Sequence, residues 1–329
     1  MSENKSETMK AITQTDLDDP RSLKLADVDI PALKPGEVLV KVAAAGVNRA
    51  DLVQAQGNYP PPQGESDIIG LECAGTIVDA GDTGREVGEE VGCLLAGGGY
   101  AEYVAVPEGQ LVPVPQGFSL TDTASIVEVA TTVWSNVGML AGLKEGDRVL
   151  IHGGGGGIGS FAIQMCKAMG AEVATTAGSQ EKLEHARELG ADILINYKEE
   201  SFVEKLKGSC DVILDIIGGP YLEDNVRSLA MDGTLVVIAV QGGPKGTLPV
   251  ARMMPRRQSV HATTLRARPV EQKSEICAST VEHVWPLIEQ GKIRTTIDRT
   301  LPLADAAQAH ELLDSGKVTG KLVLEVAGD

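Results

Sequence analysis

The segment around residue 150 constrains the fold more tightly than any other. A short β-branched run, Val149-Leu150-Ile151, leads into His152-Gly153-Gly154-Gly155-Gly156-Gly157-Ile158-Gly159, with glycines at the Gly154-x-Gly156-x-x-Gly159 spacing. Downstream, Ile158, Phe161, Ala162, Met165, Cys166 and Met169 recur at helical spacing and stop at Gly170, so strand, tight turn and amphipathic helix follow one another. Each glycine has a physical task in such a unit. The first makes the turn, the second lets a pyrophosphate approach backbone N–H groups, and the third lets helix and strand pack closely, with the helix N-terminus facing the negative charge. Gly154, Gly156, Gly157, Ile158 and Gly159 are therefore the candidate cofactor-binding residues. A merely glycine-rich strand-to-helix turn is the weaker alternative, because the flanking pattern fits.

The rest of the chain divides around this unit. After about Asp122, a helical stretch through Val137 and Leu140 ends at Gly142. Five short apolar strands follow: Arg148 to Ile151, Glu172 to Thr175, Ile193 to Ile195, Val212 to Asp215 and Thr234 to Ala239. They alternate with helical patterns, which predicts a parallel sheet covered by helices. Before Asp122 the runs Val38 to Ala45, Gly75 to Val78 and Ala101 to Val106 are β-rich and broken by Gly and Pro. Tyr59 to Gly64 is a loop, since three consecutive prolines suit neither ladder nor helix. From Val270 come two helices, Lys273 to Gln290 and Leu303 to Asp314, and a last strand, Lys321 to Val326. With 329 residues the α/β chain is long enough for two domains.

Composition excludes several function classes. A net charge of −17 repels phosphate backbones and anionic lipid, so nucleic acid and membrane are not expected partners. No apolar run reaches a membrane-spanning length, and the N-terminus lacks targeting patterns, so a cytoplasmic protein is expected. The five cysteines lie at least twenty positions apart and the five histidines show no ligand spacing, so neither a disulfide framework nor a metal site is written here. His152 reads as a packing or turn residue.

The end of the second strand bears on cofactor choice. An NAD-preferring site places Asp or Glu there to bind the adenine ribose, whereas this chain reads Thr176-Ala177-Gly178-Ser179-Gln180-Glu181-Lys182. Nothing at the strand tip repels a 2′-phosphate, and Ser179 and Lys182 offer a hydroxyl and an ammonium, so NADPH is favoured over NADH. Glu181 argues the other way, and Ser179 equally suits the N-cap of the next helix. Tyr197 is placed either beside the adenosine phosphate or on the surface. Gln241 and Gly242 follow the fifth strand, where backbone groups reach a nicotinamide carboxamide or form an ordinary turn.

Val47-Asn48-Arg49-Ala50-Asp51-Leu52, Gln56-Gly57-Asn58-Tyr59-Pro60, Gly70-Leu71-Glu72-Cys73-Ala74-Gly75, Gly97-Gly98-Gly99-Tyr100-Ala101-Glu102-Tyr103-Val104 and Gly178-Ser179-Gln180 carry a resemblance. From Met9 to Val326 the chain resembles the zinc-free quinone oxidoreductase branch of the medium-chain dehydrogenase/reductase superfamily, which includes zeta-crystallin. Within it, these segments look like the tumour-suppressor-inducible NADPH:quinone reductase subgroup. The resemblance implies a GroES-like β-rich catalytic domain (residues 1–125 and 265–329), a Rossmann NADP-binding domain (126–264) and a substrate cleft at their junction. It also implies a homodimer, with residues 1 to 8 a disordered extension. Zinc-dependent relatives hold their metal with Cys, His and Cys; this chain has Asn48 for the first Cys and Leu71, beside Glu72, for the His.

Without a Lewis acid the acceptor must already be electron-poor, and a quinone qualifies. By resemblance, Asn48 and Tyr59 line the acceptor pocket, Asn48 as a hydrogen-bond donor, and Thr132 lies near the nicotinamide. Each has a plainer alternative: a helix cap for Asn48, packing of the proline loop for Tyr59, a helix hydroxyl for Thr132. The expected function is an NADPH-dependent quinone reductase. The alternatives are an enoyl or alkenal double-bond reductase and a non-catalytic NADPH- or RNA-binding module, the last suggested only by the arginines Arg252, Arg256, Arg257, Arg266 and Arg268.

Overall fold

The computed structural model describes residues 7–16, 19 and 21–326. They form two compact units, each described in turn.

The first unit comprises the described residues of Met1–Glu128, Arg266–Trp285 and Ile297–Asp329. Its centre is Glu37–Val47, whose alternating side chains bury Val38, Val40 and Val42. This strand pairs antiparallel with Glu72–Asp79, Tyr103–Pro107 and Lys321–Glu325. Glu90–Leu94, Leu111–Pro113 and Ile297–Pro302 complete a seven-stranded sheet. Val40, Ile77, Val106 and Leu324 fill one core across these strands, so both ends of the chain supply the same β-rich unit. A separate hairpin, Thr8–Gln14 with Leu23–Asp29, lies outside the expected strands. It places Thr8 in a strand, which corrects the expected extension over residues 1 to 8, whose first six lie outside the described residues. The single helix expected over Lys273 to Gln290 is two, Val270–His283 and Trp285–Glu289, with Pro286 in the first turn of the second.

The second unit comprises Val129–Leu265 and Pro286–Thr296. Its sheet is wholly parallel, in the order Ile193–Asn196, Glu172–Ala177, Arg148–His152, Cys210–Asp215, Leu229–Val237, Ser259–Ala262. In sequence terms this is third, second, first, fourth, fifth, sixth, the doubly wound Rossmann arrangement. The sixth strand is not among the five expected, because Ser-Val-His-Ala is too short and polar to read as a strand. The fifth begins earlier than expected, since Asp232 adopts a left-handed φ of 61° and carries the chain through an Asp-Gly pair that otherwise signals a turn. The stretch through Val137 and Leu140 is helical, but over Trp134–Leu140 it is a π-helix. A Cβ at Gly138 would lie within 2.4 Å of the Trp134 ring, so glycine makes room for that indole.

Candidate active site

In the second unit the strand Arg148–His152 ends at the glycine turn, and the helix Gly157–Ala168 begins there with Gly156 as N-cap. Gly153 takes a left-handed φ of 81°. A Cβ at Gly159 would lie 2.2 Å from the Gly153 carbonyl oxygen, and one at Gly154 would lie 2.3 Å from Thr175 Oγ1, so close packing requires both glycines. Gly156 differs. It is exposed, its φ of −93° suits any residue, and an added Cβ would meet only the Gly153 carbonyl oxygen at 3.7 Å. Neither backbone nor packing demands glycine there, and the open space beside it leaves room for the close approach of a ligand. The turn therefore fits a dinucleotide pyrophosphate. Gly157 and Ile158 open the first helical turn, both half-buried.

Ser179, Lys182 and Tyr197 gather beside this turn. Ser179 is the N-cap of Gln180–Glu188, its hydroxyl accepting from the Lys182 N–H at 3.4 Å. The Lys182 stem lies across Gly155, whose added Cβ would fall 2.7 Å from Lys182 Cγ and Cδ. Tyr197 closes over Gly178, with its Oη 2.4 Å from where a Cβ would stand. Glu181 is exposed. Gln241 and Gly242 sit in the turn after Leu229–Val237, where their N–H groups donate to the carbonyls of Ile216 and Ile217 at 3.1 and 2.8 Å. Thr132 is buried in the helix Val127–Val133, and its carbonyl accepts from Asn136 Nδ2 at 2.7 Å.

The first unit carries Asn48 and Tyr59. Asn48 is the N-cap of the helix Arg49–Ala55 and forms a capping box with Asp51. Asn48 Oδ1 accepts from Lys321 Nζ at 2.7 Å and its Nδ2 donates to Glu72 Oε1 at 2.9 Å. Lys321 Nζ also donates to Glu72 Oε1, and Glu72 Oε2 accepts from the Glu128 N–H at 2.8 Å. Room for this carboxylate comes from Gly46, where a Cβ would lie 2.2 Å from Glu72 Oε1. Asp51 supplies its half of the helix start through Oδ2, which accepts from the Asn48 N–H at 2.7 Å and from Tyr100 Oη at 3.1 Å. Burial pushes Asp51 up to about 7 against those hydrogen bonds. His310 lies 3.3 Å from Tyr100 Oη, and burial lowers its ring to about 4.

Tyr59 is anchored by Arg266. The guanidinium donates to the carbonyls of Tyr59 and Ala96 at 2.9 and 2.7 Å and to Gln54 Oε1 at 2.7 Å, and stacks 5.0 Å from the Tyr59 ring centroid. Of the five arginines, Arg266 and Arg268 belong to the first unit and Arg252, Arg256 and Arg257 to the second. Arg266 is buried in the first unit, while in the second Arg257 is paired with Asp232 at 2.7 Å.

Three family models match the chain: Alcohol dehydrogenase GroES-like domain over residues 34–116, Alanine dehydrogenase/PNT, C-terminal domain over 127–220, and Zinc-binding dehydrogenase over 189–324. The quinone oxidoreductase of Rattus norvegicus is 29% identical, covering 96% of this chain and 97% of that protein. A highly reducing polyketide synthase of Emericella nidulans is 32% identical over 95% of this chain, which spans only 12% of the synthase. Among solved structures, an NAD-dependent alcohol dehydrogenase superposes with a TM-score of 0.84 at 30% identity, covering 97% of this chain and 100% of that one. The mycobacterial protein Rv1454c complexed with NADPH gives 0.84 at 29% identity, covering 96% and 99%. The chain belongs to the medium-chain dehydrogenase/reductase superfamily. It is an oxidoreductase with a GroES-like domain and a Rossmann-like nucleotide-binding domain.

One matching model of the superfamily is described as zinc-binding, and the residues here do not fit that metal. Zinc selects thiolate and imidazole ligands, but the buried group at Asn48 offers an amide and a carboxylate, with the Lys321 ammonium already bonded to both oxygens. A second cation there would meet a buried like charge. Among the described residues no three His, Cys, Asp or Glu side chains are arranged to hold a metal ion. Lys321, Asp51 and Tyr100 are polar residues around Asn48 that sequence reasoning did not single out, Glu72 entered it only as the neighbour of Leu71, and Arg266 entered it only as one of five arginines. Only the Asn48-x-x-Asp51 spacing carried a signal, that of a helix start.

Proposed function

We propose that this protein is an NADPH-dependent quinone reductase that works without zinc. The observation that carries the proposal is the buried Lys321 ammonium bonded to Asn48 Oδ1 and Glu72 Oε1. A Lewis acid cannot assemble on those atoms, so the acceptor must be electron-poor before it arrives, as a quinone is. Bound NADPH supplies the hydride, and a solvent proton completes the hydroquinone.

The chain's own residues bind and position. The Gly154 to Gly159 turn would hold the pyrophosphate with those of its N–H groups that are not bonded to the Thr176 and Gly153 carbonyls; Ser179, Lys182 and Tyr197 would receive the 2′-phosphate and adenosine; Gln241 and Gly242 would hold the carboxamide; and Thr132 would lie at the nicotinamide end. Asn48 directs its second Nδ2 hydrogen at an acceptor oxygen, and Tyr59 packs the acceptor ring. The work is orientation at roughly 3 to 3.5 Å rather than acid–base chemistry. The absence of a carboxylate in Thr176-Ala177-Gly178-Ser179 and the likeness to an NADPH-complexed protein support NADPH. No helix among the described residues is long and apolar enough to cross a membrane. A cytoplasmic homodimer that binds no nucleic acid completes the proposal, in keeping with the net charge of −17.

The likeness to a segment of a highly reducing polyketide synthase favours a second reading, with a conjugated C=C bond as acceptor. Steady-state oxidation of NADPH and of NADH with ortho-quinones, para-quinones and 2-alkenals tests both, after dialysis against a zinc chelator. Quinone turnover that survives the chelator and prefers NADPH is expected. Dominant alkenal turnover transfers the assignment to the second reading, and loss of activity restored by zinc overturns the metal-free proposal.

A further inference from the structure

The carboxyl ends of three neighbouring strands are joined by one chain of buried hydrogen bonds. Asp215 ends the strand Cys210–Asp215, beside the switch point of the sheet. Its carboxylate accepts three N–H donors: Ile217 at 2.6 Å, Gly218 at 3.2 Å and Asn225 Nδ2 at 3.0 Å. Asn225 Oδ1 then lies 2.8 Å from His152 Nε2, and His152 Nδ1 lies 3.0 Å from Thr176 Oγ1. All four side chains are at least nine-tenths buried.

Every direction in this chain is forced. Burial raises the Asp215 carboxyl to about 6 against the hydrogen bonds it receives, so above that pH it is a carboxylate, which facing three donors can only accept; Asn225 must then turn its NH2 toward Asp215 and its oxygen toward His152. His152 Nε2 must then carry the proton. Burial lowers the ring to about 4, so it is neutral, Nδ1 is an acceptor, and Thr176 donates its hydroxyl. The Thr176 carbonyl receives the N–H groups of Gly153 and Gly154, each at 3.0 Å, at the head of the phosphate turn. At the other end, Asp215 fixes the loop whose Ile216 and Ile217 carbonyls receive Gln241 and Gly242.

We propose that Asp215, Asn225, His152 and Thr176 are positioning residues for the nicotinamide dinucleotide, forming a one-directional relay that holds the phosphate turn and the Gln241–Gly242 loop in binding geometry. The inference rests on the proposed cofactor reading and adds residues that touch no substrate.

Two measurements on the full chain test it. Long-range 1H–15N NMR of the imidazoles reads the His152 tautomer directly; the relay requires Nε2–H, and a ring protonated at Nδ1 overturns it. Fluorescence titration with NADPH then compares Thr176→Val, which keeps strand shape but removes the donor, with Thr176→Ser, which keeps it. Valine is expected to raise Kd about tenfold, the cost of an unsatisfied buried acceptor, and to raise the KM for NADPH more than it lowers kcat, while serine stays near wild type. Thr280→Val, the same change at a buried hydroxyl of the first unit, serves as a control expected to leave Kd unmoved. Asp215→Asn removes the residue that sets polarity and is expected to give a mixed His152 tautomer with weakened binding. If wild type binds NADPH and both Thr176→Val and Asp215→Asn, folded, bind it equally well, the relay is wrong and the cofactor reading stands. If wild type binds no nicotinamide nucleotide, both fall.

Discussion

Lys321 Nζ reaches Asn48 Oδ1 at 2.7 Å across 273 positions of sequence, and this bond decides which way the Asn48 amide faces. Lysine can only donate and the Glu72 carboxylate can only accept, so the amide oxygen must point to the first and the nitrogen to the second. One Nδ2 hydrogen goes to Glu72 and the other has no partner among the described residues. An asparagine that would otherwise flip freely is thereby held with its second N–H as a donor, the polarity that the proposed acceptor carbonyl needs.

Removing the ammonium should cost more than removing the pair. Lys321→Met leaves the Glu72 carboxylate buried without its counter-ion, and about 3–5 kcal/mol of destabilisation is expected from urea unfolding. The double variant Lys321→Met with Glu72→Gln carries no stranded charge and should recover at least half of that loss. A double variant as unstable as the sum of its singles would mean the two groups do not interact.

The glycine turn makes a contrasting pair. At Gly156 the backbone is already extended and a side chain meets nothing closer than 3.7 Å, so Gly156→Val should keep the melting temperature within a few degrees. NADPH binding should be lost, because the new methyl groups stand where the pyrophosphate approaches. Gly159→Ala drives a Cβ to 2.2 Å from the Gly153 carbonyl and should destabilise the unit itself. Differential scanning fluorimetry with and without NADPH separates these outcomes.

The turn and the parallel sheet were legible because they are local: period, glycine spacing and strand rhythm all lie within short windows. Asn48 was legible as a position but not as a bond, since its partners Glu72 and Lys321 lie 24 and 273 positions away, beyond any such window. The hairpin at Thr8–Gln14 escaped because its strands pair largely with each other and carry exposed polar residues. His152 reads as a turn residue from its neighbours in sequence, and only the convergence of three strand ends and Asn225 shows what its two nitrogens do.

Asp51 supplies a pH dependence with a definite sign. Its carboxyl is raised from 3.8 to about 7 by burial, so between those values the folded protein holds a proton that the unfolded chain releases. The contribution of this group to stability therefore falls as pH rises through that window. Asp51→Asn cannot ionise and escapes the loss. The variant should match wild type near pH 4 and exceed it by a few kcal/mol at pH 8, since each tenfold gain in proton affinity on folding is worth about 1.4 kcal/mol. A stability difference that stays constant from pH 4 to 8 would show that Asp51 titrates normally.

Ser179 has two candidate tasks, capping the helix Gln180–Glu188 and receiving a 2′-phosphate, and one substitution separates them. Its hydroxyl does accept from the Lys182 N–H, so Ser179→Ala would confound the two by weakening the helix. Aspartate caps a helix about as well as serine and also favours the helix N-terminus electrostatically. Ser179→Asp should therefore leave the melting temperature unchanged. Its carboxylate would stand at the end of Glu172–Ala177, where it repels a phosphate and can accept from ribose hydroxyls. The expected result is a rise of at least tenfold in KM for NADPH with KM for NADH unchanged or lowered. Equal effects on both nucleotides would restrict Ser179 to its cap and leave Lys182 and Tyr197 to account for any preference.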